Sequence, residues 1–132
     1  MKKIIIILPL YNDWKSANRL LRNINKIFLK KNSNVSIIIV NDCSSEKINI
    51  ETKRLLNIKK IHVISLKQNL GSQKAIYLAL KRVQKETDAI IVVMDADGED
   101  DASKLNQLIK KAEKNESGII FAKRIKRTEN II

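Results

Sequence analysis

The sequence predicts an α/β fold of three layers, a mostly parallel sheet with helices on both faces. Two patterns carry that expectation. Short runs rich in Ile and Val alternate with longer segments whose apolar residues recur at helical spacing. Polar and acidic residues of chemical interest follow the strand runs and are scarce before them. The order read from the chain is β-α-β-α-β-α-β-α-β, with helical segments long enough for right-handed crossovers between parallel strands.

Each element has its own warrant. Residues 3–8 form a continuous Ile/Leu run, a first buried strand that Pro9 is expected to end because proline lacks the ladder donor. Asn12 or Asp13 can cap a helix over residues 14–29, where Leu20, Leu21, Ile24, Ile27 and Phe28 recur on one face. A polar turn over 30–34 leads to a second strand, 35–40, ending in the turn formers Asn41-Asp42-Cys43-Ser44-Ser45. Residues 48–58 read as a weaker, polar helix, and 61–66 as a third strand ending in Asn69-Leu70-Gly71. From Gly71 or Ser72 a helix carries Ala75, Ile76, Leu78, Ala79, Leu80 and Val83.

The fourth strand, 89–94, has no polar alternation and reads as buried. It runs into Asp95-Ala96-Asp97-Gly98-Glu99-Asp100-Asp101, the one dense negative stretch of the chain. A helix over 102–114 carries Leu105, Leu108, Ile109 and Ala112, and 119–122 is a fifth strand. With no repeat, linker or low-complexity segment, residues 1–132 read as one domain.

Formal net charge is +12, from Lys and Arg spread over nearly every helix and turn. A solvated lysine-rich surface accounts for this, as does attraction to an anionic membrane face or to phosphate-bearing substrates. Nucleic acid is not expected as a partner, because none of the five Phe, Trp and Tyr residues interleaves with a basic run. No apolar run approaches the ~18–20 residues of a spanning helix. The single cysteine, Cys43, excludes an internal disulfide and fits a reducing cytoplasm. His62 is the only histidine, so no histidine-based metal site or dyad is expected.

In open parallel sheets, ligands bind beyond the carboxyl ends of strands, where strand order reverses. Tyr11-Asn12-Asp13, Asn41-Asp42, Asn69-Leu70-Gly71 and Asp95-Ala96-Asp97 all fall at such ends. There is no Gly-rich first turn for a dinucleotide and no P-loop. Asp95 and Asp97 leave the same face of an extended backbone, and hard oxygen ligands of this kind suit Mg²⁺ or Mn²⁺. Gly98 permits the chain to turn back. Asp100 and Asp101 are read as caps of the next helix. Asp42 can accept from a nucleobase N–H or a ribose hydroxyl, or close its own turn through the Ser44 or Ser45 amide. Asp13 is divided between a helix cap and a base contact, Tyr11 between stacking on a base and packing on the strand end. Gly71 offers a close backbone approach or a helix start.

Taken in order, Ile7-Leu8-Pro9-Leu10-Tyr11-Asn12-Asp13, Val40-Asn41-Asp42-Cys43-Ser44-Ser45, Asn69-Leu70-Gly71, Asp95-Ala96-Asp97 and Phe121-Ala122-Lys123-Arg124 resemble the family-2 glycosyltransferases, over essentially the whole chain. Met94-Asp95-Ala96-Asp97-Gly98-Glu99-Asp100 is most similar to the branch that makes polyprenyl- or dolichyl-phosphate sugars. The resemblance implies the GT-A fold and transfer of a sugar from a UDP-, GDP- or dTDP-linked donor, with a divalent cation as cofactor. The implied acceptor is a polyprenyl phosphate or a cell-surface glycan, which would put a cytoplasmic protein at the inner face of the membrane.

Pro9, Tyr11, Asp13 and Asp42 would hold base and ribose. Asp95 and Ala96 would meet ribose or sugar, Asp97 and Glu99 the metal, and Arg124 the diphosphate. Asn41 stands where many relatives carry aspartate. Relatives also continue for ~100 residues or more with an acceptor half, so a donor-binding part is expected here, the acceptor half coming from elsewhere, such as a partner chain. No catalytic base is identified. The alternative is a nucleotide-sugar-binding module without transferase activity. A haloacid-dehalogenase-type phosphatase is disfavoured, since its Asp-x-Asp-Gly motif follows the first strand and continues with Thr, not Glu99.

Overall fold

The structure, a computed structural model, describes residues 2–29, 34–97, 101–115 and 118–120. In chain order it has β1 (Lys3–Leu10), α1 (Trp14–Ile27), β2 (Val35–Asn41), β3 (Lys60–Ser65), α2 (Ser72–Val83), β4 (Ala89–Val93), a 3₁₀ turn (Ala102–Lys104) and α3 (Leu105–Lys114). The four strands form one parallel sheet in the order β3-β2-β1-β4.

The period-two pleat of β1 decides which helix goes where. Ile4, Ile6 and Leu8 share one apolar cluster with Leu21 and Ile24 of α1 and Leu105 and Ile109 of α3. Ile5 and Ile7 point to the opposite face and meet Ala75, Ala79 and Val83 of α2. Layers of helix, sheet and helix follow, as the alternating sequence predicts. Each fully buried Ile or Leu contributes about 1.5–3 kcal/mol of hydrophobic stabilisation. Ala75 and Ala79 are wholly buried, and their small side chains let α2 lie close on the sheet.

Four expectations need correction. Pro9 does not end the first strand; β1 runs on to Leu10, with Pro9 opposite Val40. The Ile7 carbonyl accepts from Met94 of the chain leaving β4, so Pro9, two residues on, also directs its nitrogen to the β4 side. The β1–β4 ladder stops at Ile7 and Val93, and the missing donor therefore interrupts no pairing.

The polar helix over 48–58 is not formed. That crossover is irregular, and two buried asparagines of α1 hydrogen-bond its backbone. Asn18 Nδ2 donates to the Asn49 carbonyl (2.9 Å) and its Oδ1 accepts from the Glu51 amide (3.0 Å). Asn25, one heptad later, donates to the Arg54 carbonyl (3.3 Å) and accepts from the Asn57 amide (2.8 Å). Side chains here supply partners that a helix would have supplied from its own backbone.

Strand β4 is half-buried instead of fully buried, with Val93 exposed, because it lies at one end of the described strand order. Of the expected fifth strand, residues 119 and 120 are not in strand conformation, and 121 and 122 lie outside the described residues.

The connection order creates a switch point. From β1 the chain moves outward through β2 to β3, then crosses back to place β4 on the other side of β1. The β1–β2 pairing continues to Leu10 and Asn41, past the end of the β1–β4 pairing. Beyond Val93 the chain leaves the sheet, and a crevice opens at the carboxyl edge.

Candidate functional site

The crevice is a concavity of about 250 Å³. Pro9, Leu10, Tyr11 and Asp13 line it from the end of β1, Asp42 from the end of β2, Ser72 from the start of α2, and Asp95, Ala96 and Asp97 from the chain beyond β4. Seven of the eight positions named for donor binding are thus brought together. The eighth, Arg124, lies outside the described residues, as do Gly98, Glu99 and Asp100.

Burial alternates after β4. Met94 and Ala96 are buried in the α1–α3 cluster, while Asp95 and Asp97 are exposed on the other side. The two carboxylates therefore share a face because their apolar neighbours are held in the core. Asp101 caps the 3₁₀ turn by accepting from the Ser103 amide at 2.9 Å. Hydrogen bonds from the Ser103 hydroxyl and amide hold its carboxyl below the usual value.

The turn after β1 is built by Asn12, which adopts a left-handed conformation, φ 61°. Asparagine tolerates that region better than most residues. Asn12 is not the helix cap. Asp13 occupies the cap position of α1 without a side-chain capping bond, and its exposed carboxylate lies at the concavity. Tyr11 is half-exposed at the same mouth, and Pro9 is buried in the wall.

Asp42 is almost fully buried, at 4% exposure. It does not close its own turn, because the Ser44 amide donates to Asn41 Oδ1 (3.0 Å). Its two carboxylate oxygens instead accept from the amides of Leu70 (2.7 Å) and Gly71 (2.9 Å), at the entry to α2. Gly71 itself has φ 86° and ψ 158°, a region open essentially to glycine alone. A β-carbon there would meet nothing within 4 Å, so backbone conformation and not close approach explains the glycine.

Sequence reasoning misses Ser72 and Leu10 as lining residues. Ser72 carries a signal, its place directly after Asn69-Leu70-Gly71; Leu10 carries none, being one more apolar strand residue.

Four carboxylates, Asp13, Asp42, Asp95 and Asp97, thus border one small volume. The Leu70 and Gly71 amides relieve the charge of Asp42, and a bound cation would lower the mutual repulsion of carboxylates gathered this closely. Among the described residues no three His, Cys, Asp or Glu side chains form a ready-made metal cluster. The donor set suits an ion that takes one or two carboxylates and completes its shell with water and ligand phosphates, which is the habit of Mg²⁺.

Residues 5–131 match the family model described as Glycosyl transferase family 2. Among solved structures, S. aureus TarS 1-349 is similar with a TM-score of 0.63 and 22% identity, over 85% of this chain and 32% of that one. A second structure of S. aureus TarS gives a TM-score of 0.54 and 20% identity, over 84% of this chain and 20% of that one. Both likenesses are of fold, and this chain spans a third or less of the length of either TarS chain.

Proposed function

Since the chain belongs to glycosyl transferase family 2 and has its GT-A-like fold, we propose that the crevice beside β1 and β4 holds a nucleotide-sugar donor for transfer to an acceptor. The observation that carries this reading is the meeting of Asp13, Asp42, Asp95 and Asp97 with Tyr11 and Pro9 at the switch point of the sheet.

In this reading residues 1–132 are one donor-binding domain. Tyr11 stacks on the base, and Pro9 and Ala96 supply apolar wall. Asp13 and Asp42 accept from base N–H groups and ribose hydroxyls; Asp42 does so with the lone pairs not taken by Leu70 and Gly71. Asp95 accepts from a hydroxyl of ribose or sugar. Asp97, joined by Glu99, holds Mg²⁺ or Mn²⁺, and Arg124 meets diphosphate charge. When bound, the cation supplies Lewis-acid neutralisation of the departing nucleoside diphosphate.

The resemblance of Met94-Asp95-Ala96-Asp97-Gly98-Glu99-Asp100 to the branch that makes polyprenyl- or dolichyl-phosphate sugars supports a polyprenyl-phosphate acceptor. Its phosphate oxygen is already anionic at neutral pH and needs little help from a base. The +12 charge would favour approach to such an acceptor at a membrane surface. Among the described residues no helix is long and apolar enough to cross a membrane.

A second reading is a nucleotide-sugar-binding module without transferase activity, since the groups that the crevice brings together are those assigned to the donor. There the acceptor half comes from another segment or a partner chain. Incubation with UDP-, GDP- and dTDP-sugars, Mn²⁺ and either polyprenyl phosphate or a glycan separates the two. Glycosylated product is expected from an enzyme, and saturable donor binding without product from a module. Neither binding nor product would sink both readings.

A further inference from the structure

Asn12 lies between two residues of the concavity, Tyr11 and Asp13, and does not line it itself. Its bonds run the other way. The Asn12 amide donates to Ser44 Oγ (2.9 Å), Nδ2 donates to Ser45 Oγ (2.9 Å), and Oδ1 accepts from the Glu46 amide (3.0 Å). Its carbonyl accepts from the Trp14 amide (2.9 Å), a tight turn just ahead of the first α1 bond, Ala17 amide to Asp13 carbonyl. One residue thus joins the loop after β1 to the loop after β2, across more than 30 positions of sequence.

The left-handed backbone at Asn12 (φ 61°) turns the chain between Tyr11 and Asp13. The loop it grips begins at Asp42, the third wall residue, and Ser44 is tied back to Asn41. We infer that Asn12 is a positioning residue for the donor. It contacts no ligand, and holds Tyr11, Asp13 and Asp42 in one preformed arrangement.

This inference rests on the donor-site reading above and goes beyond it by assigning the pre-organisation of the site to one side chain. Without the Asn12 bonds the two loops sample other arrangements, and apparent affinity falls by the fraction of molecules still competent to bind. The bonds made by Asn12 Nδ2 and Oδ1 act through Ser45 and Glu46, and neither of those residues lines the concavity.

The test is a double-variant cycle on donor affinity, measured with the UDP-, GDP- or dTDP-sugar that the wild-type chain binds best in Mn²⁺. Asn12→Gly keeps the left-handed backbone accessible and removes both side-chain bonds. Ser45→Ala removes one of those bonds from the far side, at an exposed position. Trp14, the only tryptophan and buried in the first turn of α1, reports by its emission whether the turn is still folded.

Asn12→Gly is expected to weaken binding by about tenfold or more with unchanged Trp14 emission. Ser45→Ala alone is expected to weaken it less, and the double variant no further than Asn12→Gly, since both changes break one shared bond. Wild-type affinity in either single variant, or losses that simply add, would overturn the inference while leaving the donor site standing. A wild-type chain that binds no nucleotide sugar would overturn the donor-site reading, and this inference with it.

Discussion

Asp42 and Leu70 are 28 residues apart in sequence, yet a carboxylate oxygen of one accepts from the amide of the other at 2.7 Å. The second oxygen takes the Gly71 amide, so both acceptors of a buried side chain face backbone donors. Asp42→Asn replaces one acceptor by an NH₂ group pointed at an N–H. Loss of that bond is expected to cost about 1–3 kcal/mol. Urea unfolding would show it as a lower midpoint at unchanged slope, and donor affinity should fall with it. A wild-type midpoint in the Asp42→Asn variant would mean that the two amides do not need the carboxylate.

Gly71 provides a different test of the same loop. Alanine at φ 86°, ψ 158° is strained although open space surrounds the position. Gly71→Ala is therefore expected to lose about 1–3 kcal/mol through backbone conformation alone. The measurement is again the unfolding midpoint; an unchanged midpoint would show that the loop can relax into an ordinary conformation without cost.

Asn25 replaces, from 29 and 32 residues away, hydrogen bonds that the 48–58 segment does not make as a helix. Asn25→Ala leaves the Asn57 amide and the Arg54 carbonyl without this partner, and the expected destabilisation is about 1–3 kcal/mol. Arg22→Ala is the matched control on the same helix. It breaks an exposed 3.1 Å ion pair with Glu51 and should change stability by less than about 1 kcal/mol. Equal effects of the two substitutions would contradict the assignment of the crossover to the buried asparagines.

These residues also mark where the sequence was readable and where it was not. The parallel sheet was legible because uninterrupted Ile/Val runs have no other good use in a soluble α/β pattern. The crevice was legible because four strand ends carry polar residues that the core has no need of. The 48–58 segment misleads because its apolar residues have near-helical spacing, while its actual hydrogen-bond partners, Asn18 and Asn25, sit on a helix whose polar positions look like ordinary surface. Both are buried.

Pro9 misleads for a related reason. Its missing donor matters only if a neighbouring strand is there to accept from it, and the β1–β4 ladder has already ended. Asp42 lies at the crevice, but its partners are amides of the β3–α2 loop, a contact between distant loops that periodicity cannot show. The same is true of Asn12, whose partners lie in the loop after β2.

Asp97 carries the central claim, because it stands at the crevice beside Asp95 and is the carboxylate assigned to the cation. The direct measurement is a titration of the wild-type chain and Asp97→Ala with UDP-, GDP- and dTDP-sugars, each with and without Mn²⁺. The expected result is that at least one donor binds the wild-type chain in Mn²⁺, that removing the metal weakens it, and that Asp97→Ala loses most of the binding. Equal affinity in both proteins, independent of metal, would contradict the account.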